Sequence, residues 1–218
     1  MQNNYTYEIK PLPPREYRYF LSTPDDYDPA KESLPLIVFL HGAGSRGDDI
    51  NLIKEHGIPK LFAEKSPLRV VTVSPQCDTD MVWNAQVYEL KQFIDWIVEK
   101  YNIDKNRISI TGLSMGGFGT WAMGMTFPDY FSAMAPVCGG NGMVWLAGLL
   151  KDIPIRAFHG TEDDVVFANC SIDMVNAVNA AGGNAELFLY EGAGHDTWIQ
   201  AYEQTDTIEW LMKQVKKA

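Results

Sequence analysis

Short apolar, β-branched runs alternate with helical patterns along most of the sequence. This order of elements is typical of a parallel sheet that has helices on both of its faces. The runs are continuously apolar, which indicates strands that are covered on both sides. Five of them predict strands, over residues 36–40, 70–73, 108–111, 155–158 and 186–190.

Further elements complete a layered α/β arrangement. Residues 17–21 predict an antiparallel edge strand, and another strand is expected near Phe131. Apolar side chains at three-to-four-residue spacing predict helices over residues 88–101, 115–127, 169–181 and 202–215. The predicted fold class is therefore an α/β three-layer αβα sandwich with a doubly wound, mostly parallel sheet.

The 218 residues predict one catalytic domain, residues 1–218, because neither a linker nor an internal repeat interrupts them. Between the strand near Phe131 and the strand at 155–158 there is room for a short loop and one helix. We therefore expect no large lid and an open, shallow site.

The net charge of −10 argues against nucleic acid and anionic membranes as partners, because both carry negative charge. No apolar run approaches the roughly 18 residues that a membrane helix needs, and the first residues lack the pattern of a signal peptide. A cytoplasmic protein is the expectation.

The three cysteines, Cys77, Cys138 and Cys170, are an odd number and form no C-x-x-C pair. This pattern suggests neither a disulfide framework nor a metal site, and buried free thiols are expected. Cys138 adjoins two glycines and is an alternative nucleophile, but the chain offers a better placed serine.

That serine is Ser114, in the sequence Gly112-Leu113-Ser114-Met115-Gly116. The pattern G-x-S-x-G forms a sharp turn that lifts a serine above a sheet, between a strand and a helix. The apolar run at 108–111 precedes it and an amphipathic pattern follows it, as this motif requires. Ser114 is therefore the predicted nucleophile.

A serine hydroxyl needs a histidine base that a carboxylate orients. In this fold class the chain order is nucleophile, acid, histidine, which selects His195 over His41, His56 and His159. His195 follows a glycine-containing turn after the strand at 186–190.

The acid is expected in the loop after the strand at 155–158, where Glu162, Asp163 and Asp164 are adjacent. Asp163 is the preferred candidate because its distance from Val166 suits an Asp-x-x-Val turn. Spacing does not separate it from Asp164, which stays the alternative. His159 is interpreted as structural.

A tetrahedral oxyanion requires hydrogen-bond donors, which this architecture supplies from backbone amides. The candidates are the amide of Met115, directly after the nucleophile, and that of Ala43, in a glycine-rich turn after the first central strand. A phosphate-binding loop is the competing interpretation of this turn, but no G-K-[ST] follows it.

With these motifs in order, the chain resembles the compact α/β-hydrolase esterases of the phospholipase/carboxylesterase and predicted-peptidase group, related to prolyl-oligopeptidase-like and polyhydroxybutyrate-depolymerase-like hydrolases. The motifs that carry the resemblance are LPLIVFLHGAGSRGDD, SPQC, ITGLSMGGFGTWAM, FHGTEDDVV and GAGHDTW. It implies the same triad and oxyanion amides. Ser45 and Phe167 depart from the glutamate and proline that similar proteins often carry.

The predicted activity is hydrolysis of a small-molecule or saccharide ester through an acyl-enzyme, without a cofactor or metal ion. Trp83, Trp145 and Trp198 are expected near the rim, with Trp83 and Trp198 as substrate-binding candidates for short-chain, feruloyl or acetylated-sugar esters. A peptidase or amidase with the same triad is the alternative enzyme, and a non-catalytic binding protein is the third interpretation.

Overall fold

The computed structural model describes residues 16–62 and 68–217. Seven strands form one sheet in the order β1-β3-β2-β4-β5-β6-β7. Strand β1 is antiparallel to β3, and the other neighbours are parallel. The bounds are β1 Tyr19–Ser22, β2 Leu34–Leu40, β3 Val71–Pro75, β4 Ile103–Leu113, β5 Ala133–Val137, β6 Ile155–Gly160 and β7 Ala185–Tyr190. The predicted, mostly parallel sheet and its antiparallel edge are confirmed.

In the described part of the chain, six α-helices and four 3₁₀ segments lie between or after the strands. The helices are α1 Gly57–Leu61, α2 Val87–Lys100, α3 Met115–Thr126, α4 Asn169–Ala180, α5 Trp198–Glu203 and α6 Thr207–Lys213, and the 3₁₀ segments are Ala43–Ser45, Ile50–Glu55, Trp83–Ala85 and Val144–Leu150. No helix in these described ranges is both long and apolar enough to cross a membrane.

The single C-terminal helix predicted over 202–215 is wrong, since α5 and α6 occupy this region separately. Thr205 supplies the physical reason. Its hydroxyl donates to the carbonyl oxygen of Ala201 at 2.7 Å and accepts from the amide of Thr207 at 3.2 Å. These local bonds compete with a continuous helical ladder and divide the two helices.

Strand β2 shows how the three layers form. Its side chains alternate between two clusters, so that Leu36, Val38 and Leu40 face α2, α3 and α4, whereas Ile37 and Phe39 face α1, α5 and α6. All seven residues of β2 are buried. This explains why the strand is apolar at every position and could be recognised in the sequence.

The strand register aligns the carboxyl ends of β4, β5, β6 and β7 at one edge of the sheet. Gly112 of β4 pairs with Pro136 of β5, Val137 pairs with Phe158 of β6, and Gly160 pairs with Tyr190 of β7. The carboxyl ends of these four strands are therefore nearly level, and the loops that follow them meet. Between β5 and β6, the described chain forms a short 3₁₀ segment packed on α4, and no large lid covers this edge.

Candidate active site

Ser114 forms a strained turn between β4 and α3. Its backbone angles are φ 54° and ψ −117°, in a region that side-chain-bearing residues rarely adopt. Such a conformation costs roughly 1–3 kcal/mol and persists only when surrounding contacts enforce it. The Ser114 amide donates to the carbonyl oxygen of Val137 at 2.9 Å, and the Phe118 amide donates to the Ser114 carbonyl at 3.1 Å. These bonds fix the serine above the sheet.

The first glycine of the motif is required by close backbone approach. A Cβ atom on Gly112 would lie 2.5 Å from the carbonyl oxygen of Gly116 and 2.7 Å from that of Leu40. Real Cβ atoms essentially never lie so near backbone. The motif thus allows the helix start to fold back onto the central strands, which is the role that the sequence pattern predicts.

Ser114, His195 and Asp163 form a continuous hydrogen-bonded chain. Nε2 of His195 lies 2.9 Å from Oγ of Ser114, and Nδ1 lies 2.7 Å from Oδ2 of Asp163. A carboxylate only accepts, so Nδ1 carries the proton and Nε2 of the neutral ring is free to accept from the serine. The structure brings together the three side chains that the sequence selected from distant segments.

The Asp163 carboxylate is buried and accepts hydrogen bonds from three donors, which are Nδ1 of His195 and two backbone amides. Its Oδ1 accepts from the amides of Val165 at 3.0 Å and Val166 at 2.8 Å. Burial acts to raise the pKa of Asp163, but the hydrogen bond from His195 and those two amides outweigh it, and the pKa lies below its ordinary value. Asp164, the alternative acid, is exposed.

The turn after β2 lies directly beside Ser114. A Cβ atom on Gly42 would be 3.6 Å from Cβ of Ser114, so the next residue, Ala43, borders the same cavity as the serine hydroxyl. Met115 begins α3, where the first amides of a helix have no partner within the helix. The two residues whose amides were proposed from the sequence, Ala43 and Met115, therefore lie beside the serine.

His41 fixes that turn. Its buried ring donates from Nδ1 to the Gly42 carbonyl at 2.6 Å and accepts at Nε2 from the Cys77 amide at 2.9 Å. Burial lowers the pKa of His41 to about 4, so the ring is neutral near pH 7, as these two bonds require. No role for His41 was predicted from the sequence.

A cavity of about 350 Å³ opens at Ser114 and His195. Phe39, Val165 and Trp198 supply apolar wall, and the Trp198 ring stands edge-on to His195 with 5.5 Å between the ring centroids. Trp198, a substrate-binding candidate from the sequence, therefore lies in the wall of the cavity.

The expectation for Trp83 is wrong. Its side chain is fully buried in the main core, and its Nε1–H donates to the His41 carbonyl at 3.0 Å. The indole therefore supports the turn after β2 from below and presents no face to a substrate. Trp145 is 76% exposed but does not line the cavity.

Two polar residues of the cavity were missed in the sequence. Glu55 and His56 line it from the segment before α1, and the His56 ring lies 5.5 Å from that of Trp198. This segment carries no catalytic motif, and only its fold against α5 brings it to the serine. Trp198 thus stands between His56 and His195.

Cys138 lies inside the same cluster but is unsuited to react. Its Sγ contacts the carbonyl oxygen of His195 at 3.1 Å and Oγ1 of Thr197 at 2.7 Å. Burial raises the pKa of the thiol to about 12, and a neutral thiol is a poor nucleophile and metal ligand. Within residues 16–62 and 68–217, one group of side chains is spaced to hold a metal ion, that of Cys138, Asp163 and His195. The aspartate and the histidine of this group are already hydrogen-bonded to each other.

Known proteins share this architecture. The BD-FAE family model matches residues 25–130. A bifunctional acetylxylan esterase/xylanase of Neocallimastix patriciarum is 31% identical over 137 residues, which are 61% of this chain and 20% of that protein.

Solved structures extend the similarity over nearly the whole chain. A thermostable esterase is 35% identical with a TM-score of 0.81, over 91% of this chain and 59% of that one. A feruloyl esterase module from Clostridium thermocellum, complexed with sinapinate, shares the fold at 17% identity and a TM-score of 0.69, over 92% and 84% of the two chains. The chain thus spans only part of its first relatives. The sheet topology, the serine turn and these matches together show that the chain has the α/β-hydrolase fold and is similar to esterases of that fold.

Proposed function

We propose that this chain is a serine carboxylesterase that cleaves ester bonds through an acyl-enzyme intermediate. Ser114 is the nucleophile, His195 the base and Asp163 the residue that orients and stabilises the imidazolium. The observation that carries the proposal is the unbroken hydrogen-bonded chain from the hydroxyl of Ser114 to the buried carboxylate. We further propose that the 218 residues act as one catalytic domain without a cofactor.

The geometry supports a defined sequence of proton transfers. As Oγ of Ser114 attacks the ester carbonyl carbon, Nε2 of His195 takes its proton, and the amides of Ala43 and Met115 stabilise the negative oxygen. His195 then gives this proton to the departing alcohol, which leaves an acyl group on Ser114. His195 takes a proton from a water molecule as that water attacks the acyl carbon; the bond between the acyl group and Oγ of Ser114 then breaks, His195 returns the proton to Oγ, and the acid is released.

The substrate class that we propose is a short-chain, feruloyl-type or acetylated-sugar ester. The cavity of about 350 Å³ is at the lower end of the range typical for small-molecule sites. Its wall combines aromatic surface with the polar groups of Glu55 and His56, which suits an acyl or alcohol group that carries hydroxyls. Acetylxylan and feruloyl esterases among the similar proteins support the same class.

The decisive experiment is the Ser114→Ala variant, assayed with a chromogenic acetate ester and a fluorophosphonate probe. We expect turnover to fall by at least about 10⁴-fold and labelling to disappear, because residual rates come from binding and the oxyanion amides alone. Ser33→Ala, at an exposed serine before β2, is the control and should match the wild type.

Turnover by Ser114→Ala at the wild-type rate would overturn the proposal. A paired anilide substrate tests ester against amide specificity, and faster cleavage of the anilide would replace the esterase assignment by a peptidase or amidase. A wild-type protein inert to both substrates and to the probe would be a binding protein.

A further inference from the structure

Two histidines lie against the Asp163 carboxylate, although the triad needs only one. His159 lies in β6 with its side chain fully buried, and its Nε2 is 3.2 Å from Oδ2 of Asp163. Nδ1 of His195 approaches the same oxygen at 2.7 Å. The two imidazoles therefore share one carboxylate oxygen.

The surroundings of His159 fix where its proton lies. Besides Asp163, Nε2 faces the carbonyl oxygen of Val166 at 2.7 Å, and both neighbours are acceptors. Nε2 must therefore carry a hydrogen, which it donates to the Val166 carbonyl at 2.7 Å, while Oδ2 of Asp163 lies beside the same N–H group at 3.2 Å. On the other side of the ring, Nδ1 lies 2.7 Å from Oγ of Ser171, which in turn lies 2.7 Å from the Gly139 carbonyl oxygen. The ring is thus anchored at both nitrogens.

The two thiols near this carboxylate, those of Cys138 and Cys170, are uncharged near neutral pH. Burial raises the pKa of Cys138 to about 12 and, as the largest of several causes, raises that of Cys170. Both side chains are thiols near neutral pH. The negative charge of Asp163 thus faces the three hydrogen-bond donors from His195 and the two loop amides, together with the N–H group of His159 at 3.2 Å.

Resting on the proposed esterase mechanism, we propose that His159 is a positioning residue, whose Nε2–H holds Oδ2 of Asp163 in line with His195 and limits how strongly that carboxylate retains a proton on His195. A carboxylate oxygen that already interacts with one N–H group accepts a second hydrogen bond more weakly. Without His159, the aspartate would interact more strongly with the imidazolium of His195, and the base would become free only at higher pH.

The test compares three variants in kcat, KM and the pH profile of kcat/KM for a chromogenic acetate ester. His159→Phe keeps an aromatic ring but removes the donor, and His159→Gln keeps an N–H near the position of Nε2. Ser171→Ala is the matched control, because it removes the neighbour of Nδ1 and leaves the donor to Asp163 in place. Thermal unfolding of each variant measures the purely structural contribution.

We expect His159→Phe to lower kcat by roughly tenfold to a hundredfold, the range for one lost hydrogen bond to a charged group, with little change in KM. The acidic limb of its kcat/KM profile should move to higher pH. His159→Gln should restore most of the rate and the limb, and Ser171→Ala should leave the limb unchanged. If the phenylalanine variant does not fold, His159→Asn, whose amide matches Nδ1 instead of Nε2, should show the same shift.

A wild-type acidic limb in both His159→Phe and His159→Asn would overturn this inference, as would an equal shift in Ser171→Ala. Either result leaves the triad intact so long as Ser114→Ala is inactive. Turnover by Ser114→Ala would instead contradict the esterase mechanism itself, so the two failures are distinguishable.

Discussion

Gly116 lies directly against the carbonyl group of Leu40, where a Cβ atom would be 1.9 Å from the oxygen and 2.5 Å from the carbon. The first turn of α3 and the end of β2 are therefore in backbone contact. This contact sets the distance between the two segments that carry the proposed oxyanion amides, those of Met115 and Ala43.

Gly116→Ala should separate these segments. A methyl group cannot be accommodated against backbone atoms, so we expect kcat/KM to fall by at least about tenfold and the free energy of unfolding to fall by about 1–3 kcal/mol. Ester kinetics and chemical denaturation measure the two effects. Gly142→Ala is the control, because nothing lies within 4 Å of its Cβ position, and an equal loss there would contradict the explanation.

Asp163→Asn should lower kcat by about 10⁴-fold, since an amide favours the wrong tautomer of the histidine. Asp164→Asn, one residue further along, should stay close to the wild type because its side chain is exposed. Steady-state kinetics of the two variants decides between the acids that the sequence left open. A severe loss in the Asp164 variant alone would reverse the assignment.

The lowered pKa of Asp163 also predicts a pH dependence of stability. A carboxyl whose folded pKa is depressed adds stability above its ordinary value of 3.8, and this contribution is lost as pH falls below that value. The difference in unfolding free energy between the wild type and Asp163→Asn should therefore shrink on acidification. Urea titrations on either side of about pH 4 measure it, and a constant difference would show that the carboxylate is not specifically stabilised.

Substitution of Trp83 should mainly lower stability, whereas substitution of Trp198 should mainly lower activity. Trp83→Ala removes a fully buried side chain, and we expect a loss of about 3–5 kcal/mol in unfolding free energy. Trp198→Ala removes the ring that stands against His195 and should mainly reduce kcat/KM, by about tenfold. Thermal unfolding and ester kinetics on both variants test this contrast, which a stability loss confined to Trp198→Ala would contradict.

Cys138 should be dispensable for turnover. Because the thiol is buried and its pKa is about 12, we expect Cys138→Ala to retain most of the activity. Iodoacetamide should neither label this residue in the folded protein near pH 8 nor inactivate the enzyme. Mass spectrometry after alkylation gives the measurement, and rapid labelling of Cys138 with loss of activity would revive the cysteine as a nucleophile.

The sheet was predictable because burial on both faces makes every position of a central strand apolar, as in β2. Ser114 and His195 were predictable because each follows a strand with glycines that allow a tight turn. Spacing did not separate Asp163 from Asp164, since the choice depends on the amides of Val165 and Val166. The contacts of those amides with the carboxylate are visible only in the structure.

Other features depend on contacts between distant segments. Trp83 was expected at the rim because its position in the chain is close to a loop, but sequence does not give the direction of a side chain. The contact of His159 with Asp163 depends on how the loop after β6 folds back on its own strand. The division between α5 and α6 depends on the hydroxyl of Thr205, a residue that a helical pattern tolerates.

Among the residues that the structure describes, strand β7 is the last strand of the sheet and pairs only with β6. The loop that carries His195 is anchored to this outer strand, whereas Ser114 follows a central one. A molecule in which β7 has peeled away would keep its helices and most of its core, yet it would have a serine with no base. The proposed esterase activity therefore depends on the pairing of the outermost strand. If that pairing were lost, activity would disappear while spectroscopic measurements of the core still showed a native protein.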